Sequence, residues 1–92
     1  MKFRLEMTSV ACPEQYDVFY GDEQVGYLRL RHGVFRCYFP NSDGEMICEA
    51  YPKGDGLFEY DEREPYIKWA LEHIRRKMTE NIEYEIEEME WN

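Results

Sequence analysis

Apolar and polar side chains alternate along the first half of the chain, with the two-residue period of a strand that has one buried face. Phe3, Leu5 and Met7, for example, alternate with charged residues. Segments rich in Gly, Pro, Asn and Asp interrupt the alternation, as turns do. The pattern predicts an antiparallel meander of five strands, with a loop over residues 8–14. The strands are expected at about residues 2–8, 15–20, 25–31, 34–39 and 45–51.

Paired residues of adjacent antiparallel strands must point to the same face, so the apolar pattern also suggests a register. Keeping apolar positions together predicts three core rows: Tyr20, Gly26, Phe39 and Met46; Val18, Leu28, Cys37 and Cys48; and Tyr16, Leu30, Phe35 and Ala50. On the other face this register gives a row of four charged residues, with an acidic residue at each end and two arginines between them: Asp17, Arg29, Arg36 and Glu49. The charge complementarity supports the register.

A change to helical periodicity follows the strands. The Asp61–Glu64 segment has the spacing of a capping box, and we expect a helix from about residue 63 to residue 79. Its buried stripe is predicted to consist of five apolar residues at helical spacing: Ile67, Ala70, Leu71, Ile74 and Met78.

The last residues are ambiguous between strand and helix. Ile82, Tyr84 and Ile86 alternate perfectly, which favours a final strand beside the first one, although Ile82, Ile86 and Met89 would also align on a helix. The sequence thus predicts one domain, residues 1–92, of the α+β class. We expect a mainly antiparallel sheet of five or six strands, packed on one face by a single helix in the C-terminal half.

The face opposite the helix is predicted to be apolar where a solvated face should be polar. We expect a contact strip there, flanked by arginines and made of Phe19, Tyr27, Tyr38, Ile47, Val34, Tyr51, Arg29 and Arg36. Exposed aromatic residues with Arg are typical of protein interfaces, so the strip predicts a homodimer. The alternative is that the C-terminal segment, through Met89 and Trp91, folds back over the strip.

Composition and charge narrow the classes of partner. The chain is 43% hydrophobic, enough to fold, and has a formal net charge of -9. This acidity argues against direct nucleic-acid binding and favours a basic protein partner. No apolar stretch suits a signal peptide or a membrane span, so we expect a cytoplasmic protein that does not bind membranes. An odd number of cysteines without a CxxC pair fits a reducing compartment.

Two groups of residues could carry chemistry. Cys37 and Cys48 are paired in the predicted register, but a zinc site needs two further ligands, so we expect no metal, no cofactor and no disulfide. Tyr66, Trp69 and His73 share one flank of the predicted helix and could line a ligand pocket. No Ser or Cys nucleophile is identifiable beside His73, which argues against catalysis.

Two segments, Tyr16–Arg31 and Glu49–Gly56, resemble small bacterial proteins that are carried on integron gene cassettes. The resemblance covers roughly the middle half of the chain. It implies a compact bacterial protein that is able to oligomerise and has no assigned activity, and it brings no catalytic motif.

The sequence therefore favours a small acidic, non-catalytic binding or interaction protein that self-associates through the sheet face opposite the helix. One alternative is an acidic antitoxin, immunity-like or nucleic-acid-mimicking protein that captures a basic partner. Another is a small enzyme or ligand binder that uses the pocket near Tyr66, Trp69 and His73.

Overall fold

A computed structural model describes residues 2–80 and the backbone of residues 88–89. The elements are β1 (Lys2–Val10), β2 (Glu14–Tyr20), β3 (Glu23–Arg31), β4 (Val34–Phe39), β5 (Glu45–Ala50), α1 (Arg63–Glu80) and β6 (Glu88–Met89). In the sheet the strands lie in the order β5-β4-β3-β2-β1-β6. Strands β1 to β5 form an antiparallel meander, and α1 is the single helix of the C-terminal half, so the predicted α+β fold is confirmed. No helix among the described residues is both long and apolar enough to cross a membrane.

The hydrophobic core lies between the sheet and α1. The five residues predicted for the helix stripe are all buried, and they pack against inward-facing side chains of the meander: Phe3, Leu5, Tyr16, Val18, Leu28, Leu30, Phe35, Cys37 and Cys48. Full burial of one large apolar side chain contributes about 1.5–3 kcal/mol, so this single layer supplies most of the driving force for folding. The alternation of the sequence thus identified most of the core face correctly. Met46, which was predicted for a core row, is 46% exposed and lies opposite Tyr38.

The register between β2 and β3 differs from the prediction by two residues. Tyr16 pairs with Leu28 and Val18 pairs with Gly26, whereas the predicted register has Val18 opposite Leu28. The cause is the turn, which we expected to span four residues. Tyr20 in fact pairs with Glu23, which leaves a two-residue turn with Gly21 at a φ of 66°. A bulge then follows, in which Val25 is the extra residue.

A second correction concerns β4 and β5. Their pairs Phe35–Ala50, Arg36–Glu49 and Cys37–Cys48 are as predicted, but a bulge follows, and Tyr38 lies opposite Met46 instead of Ile47. Ile47 is the extra residue and packs against the hydrophobic core. The bulge therefore removes Ile47 from the predicted contact strip.

The described part of the C-terminal segment lies at the edge of the sheet. Glu88 and Met89 pair in parallel with Lys2 and Phe3. The backbone of Met89 therefore extends the sheet sideways and does not cross the face opposite α1. The strand predicted over Ile82–Ile86, and the proposed cover by Trp91, lie outside the described residues.

We predict that Gly26→Ala destabilises the protein, because the Ile74 side chain of α1 occupies the space beside Gly26 that a Cβ atom would need. A Cβ atom at this position would overlap Ile74 Cδ1 and lie 3.3 Å from Val18 Cβ. Overpacking of this kind costs about 1–3 kcal/mol in the free energy of unfolding, which urea titration measures.

The control for this prediction is Ile74→Val, which removes the overlapping Cδ1 atom and should cost only about 0.5–1.5 kcal/mol by itself. In the double variant the two losses should be less than additive. Strictly additive losses would show that the helix does not approach Gly26 in this way.

Candidate functional site

The sheet face opposite α1 is not covered by any described element, and it is neither fully apolar nor fully charged. Tyr27 and Tyr38 form a cross-strand pair at its centre, with ring centroids 6.0 Å apart. Both side chains are half-buried. The Tyr27 hydroxyl donates a hydrogen bond of 2.7 Å to Gln15 Oε1. The Tyr27 side chain is therefore held in place by a hydrogen bond within the chain.

Arginines adjoin this tyrosine pair. Arg29 and Arg36 pair directly across β3 and β4, and Arg31 pairs with Val34 one step along the same face. The Arg29 guanidinium lies 6.0 Å from the centre of the Tyr38 ring, close enough for a cation–π contact. A groove of about 260 Å³ is lined by Arg29, Arg31, His32, Val34 and Arg36. We call Tyr27, Tyr38, Val34 and the three arginines the open-face patch.

One arginine of the patch is neutralised within the chain. Arg36 Nε donates a hydrogen bond of 2.7 Å to Glu49 Oε2, and the Tyr51 hydroxyl donates one of 2.7 Å to Glu49 Oε1. The bonds from Tyr51 and from Arg36 lower the pKa of Glu49. Tyr51 is 70% exposed, so it lies at the rim of the patch.

Not all predicted strip residues belong to this patch. Phe19 is on the open face, but its ring lies beneath the Arg4 guanidinium, which is 4.5 Å from the ring centre. Because of the register shift, Asp17 lies opposite Tyr27 in the position predicted for Phe19. The structure thus brings together six of the eight predicted residues, Tyr51 at the rim, and separates Phe19 and Ile47 from them.

On the helix side, the structure brings together the three residues predicted for a ligand pocket. Trp69 is 6.5 Å from Tyr66 and 4.9 Å from His73, measured between ring centres. Trp69 also contacts the core residue Phe35. The hollows beside this cluster, about 240 Å³ at Tyr66 and Trp69 and about 270 Å³ at His73, fall below the roughly 300–1,000 Å³ usual for small-molecule pockets. We therefore interpret the cluster as the rim of the core.

The carboxylate of Glu14, the buried charged group of the described residues, was not predicted from the sequence. Arg63 donates to it through Nε at 2.9 Å and through Nη2 at 3.1 Å, and the Phe58 backbone N–H donates at 2.9 Å. The Tyr16 hydroxyl donates a further hydrogen bond. Burial alone would raise the pKa of Glu14, but the bonds from Arg63, Tyr16 and Phe58 outweigh it, so the pKa is lowered. The sequence does contain a signal for this burial. Glu14 lies two residues before Tyr16, so the alternation places it on the same inward face as Tyr16 and Val18.

An apolar cleft of about 580 Å³ borders this ion pair. Its walls include Leu5, Met7, Val10, Leu57 and Ile67, and Tyr16 and Arg63 also line it. Tyr16 and Arg63 already donate hydrogen bonds to Glu14. Every buried side-chain polar atom of the described residues has a hydrogen-bond partner. The hydrogen bonds of the Glu14 carboxylate join β2 to the loop before α1 and to the first turn of α1.

The cysteines lie as the predicted register requires. Cys37 and Cys48 pair directly across β4 and β5 as free, buried thiols, and Cys12 is exposed. The hydrogen bond with Cys48, together with burial, raises the pKa of Cys37. Among the described residues no group of three or more His, Cys, Asp or Glu side chains is placed to hold a metal ion.

No family model matches the chain, and no match was found among curated proteins or solved structures. The resemblance to integron-cassette proteins stays a prediction.

We predict that Glu14→Gln lowers the free energy of unfolding by about 2–4 kcal/mol near neutral pH, because it leaves buried donors without their carboxylate. The Arg63 side chain is 34% exposed, so part of its charge stays hydrated and the loss falls short of that of a fully buried pair. The exposed Glu64→Gln is the matched control, and it should change stability by less than about 0.5 kcal/mol.

Acid should narrow the stability difference between the wild type and Glu14→Gln. A lowered pKa in the folded state means that the carboxylate stabilises the fold above the unfolded-chain value, ordinarily 4.5. This contribution is lost as the pH falls through the folded-state pKa. Urea titrations at about pH 7 and about pH 3 measure the change, and a gap that is equally wide at both values would contradict the assignment.

Proposed function

We propose that this protein is a small non-catalytic binding protein that self-associates through the open-face patch. The observation that supports this best is the patch itself: two ordered tyrosines and three arginines on adjacent strands of a chain with a net charge of -9. Three of the eleven basic residues are thus concentrated in one small area. Aromatic residues and Arg are the types enriched in interface cores, and the ordered tyrosine pair lowers the entropy lost on binding.

Several observations favour binding over catalysis. The ring contact that the structure gives for His73 is with Trp69, and no hydroxyl or thiol of the described residues donates a hydrogen bond to it. The other histidine, His32, is in the β3–β4 turn and is exposed. A reaction by nucleophile and base needs these groups within hydrogen-bond reach of each other.

A second copy fits the patch better than a basic protein does. Arg29 and Arg31 would repel a basic partner at this face. Six of the twenty acidic residues lie at positions 80–90, mostly outside the described residues. Capture of a basic partner, and the cytoplasmic location, stay predictions from composition.

We expect the wild type to sediment as a dimer at concentrations on the order of tens of micromolar, and Tyr38→Glu to shift it to monomer. A charge at the centre of an interface removes a hot-spot contact, and such contacts are typically worth at least about 2 kcal/mol, or roughly 30-fold in Kd. Sedimentation equilibrium measures both proteins.

Tyr60→Glu is the matched control, because Tyr60 is 94% exposed in the loop before α1 and is not part of the patch. It should leave the dimer unchanged. A monomeric wild type at these concentrations, or a Tyr38→Glu dimer as tight as the wild type, would refute the proposal.

A further inference from the structure

Asp17 and Arg29 lie on the same open face but do not form an ion pair. Asp17 is opposite Tyr27, and Gln15 is opposite Arg29, so these four residues form a square on strands β2 and β3. Asp17 and Arg29 occupy one diagonal, typically about 7–8 Å in length. The hydrogen bond from Tyr27 to Gln15 spans the other diagonal. That bond crosses the space between the two charges and keeps them apart.

Each of these charges also faces a like charge instead of a counter-charge. Glu6 is directly opposite Asp17, and Arg36 is directly opposite Arg29. Asp17 accepts one hydrogen bond, from Gln24 Nε2 at 3.2 Å, and burial followed by the nearby Glu6 raises its pKa. Among the residues that the structure describes, no salt bridge joins Asp17 or Arg29 to an oppositely charged group.

One of these like-charged pairs is acidic and the other is basic. The acidic pair continues the row of Tyr38 and Tyr27 onto β2 and β1, and the basic pair lies two residues away from the tyrosines along β3 and β4. Glu6 and Asp17 form an acidic corner on β1 and β2, and Arg29 forms a basic corner with Arg31 on β3. Like charges directly opposite each other in a sheet are destabilising. Within the chain Glu6 is paired with Arg4, and Arg36 is paired with Glu49. Asp17 and Arg29 are therefore the members of the two pairs to which a second copy, placed face to face, could supply a counter-charge.

From this arrangement, and resting on the self-association proposed above, we infer that the patch binds a second copy in one register. In this register the acidic corner of each protomer lies on the basic corner of its partner, with Asp17 of one chain against Arg29 of the other. A twofold axis parallel to the two sheets and passing near Tyr27 and Tyr38 exchanges the corners. Because a twofold contact is isologous, the Asp17–Arg29 contact occurs twice in each dimer.

Charge reversal tests the register. In Asp17→Lys the new cation would face Arg29 of the partner, and in Arg29→Asp the new anion would face Asp17. Each variant alone should dimerise at least about tenfold more weakly than the wild type, since like charges meet at two places. An equimolar mixture of the two variants should recover dimers, because every cross-chain contact is then between opposite charges.

The mixing experiment distinguishes a contact between Asp17 and Arg29 of two chains from a contact within one chain. Only an intermolecular contact lets two weakly dimerising variants form a heterodimer, which native mass spectrometry identifies by its mass. Asp43→Lys and Arg76→Asp are the matched controls. They make the same changes of charge at exposed positions off the patch and should leave the dimer as tight as the wild type.

Circular dichroism establishes that the reversed variants fold. If one does not, the neutral pair Asp17→Asn and Arg29→Gln replaces them. Each neutral variant should weaken the dimer by roughly threefold, and the double variant should be no weaker than either one, because both remove the same contact.

The outcomes distinguish the register from self-association itself. A monomeric wild type would refute both. A wild-type dimer that Tyr38→Glu disrupts, but whose charge-reversed variants dimerise normally or fail to form a heterodimer, would refute the register and leave the self-association proposal intact. Additive losses in the neutral variants would refute the register in the same way.

Discussion

The carboxylate of Glu14 is enclosed in the core and has to be satisfied there, and three separate segments of the chain are arranged around it. Glu14 begins β2, Phe58 belongs to the loop that follows β5, and Arg63 begins α1. The same loop is fixed a second time, because the Gly56 carbonyl accepts hydrogen bonds from the backbone N–H groups of Cys12 and Glu14 at 2.7 and 2.9 Å. Since an unpaired buried carboxylate would be costly, the first turn of α1 has little freedom to move away from β2.

The position of the first turn determines which face of the sheet remains available. Starting beside Glu14, α1 covers the inward side chains of the sheet, and its residue Ile74 lies against Gly26. The opposite face is then left with the tyrosine pair and the arginines. A solvated sheet face is ordinarily polar, so the two aromatic side chains at the centre of this face are the feature on which the proposed self-association rests.

The sequence determined which side chains face the core more firmly than it determined which residues pair. A shift of two residues between β2 and β3 returns every side chain to its original face, so the apolar alternation cannot distinguish Val18 opposite Leu28 from Val18 opposite Gly26. The apparent charge match of Asp17 with Arg29 then favoured the wrong choice. Turn length and bulges settle the register, and neither the two-residue turn at Gly21 nor the bulge at Ile47 is evident from periodicity.

The candidate site was predictable to a similar degree. Tyr27, Tyr38 and the arginines were found because outward positions of β3 and β4 are unusually aromatic and basic. Phe19 and Ile47 were wrongly assigned to the contact strip, because the register decides which residues of the adjacent strand lie beside them. Glu14 was missed because acidic residues are rarely buried, and its partners Phe58 and Arg63 are more than forty residues away in the chain, where no local pattern can reveal them.

The order of the strands has a consequence for the newly made chain. Each of the first five strands pairs with its neighbour in sequence, so the hairpins can form from short-range contacts as soon as they leave the ribosome. The helix that covers their apolar side is synthesised after all five of these strands. Until it docks, the nascent sheet exposes its core residues on one face and the tyrosines on the other, and neither is protected from other apolar surfaces. The interval between the synthesis of β5 and the docking of α1 is therefore the time at which this protein is most susceptible to aggregation.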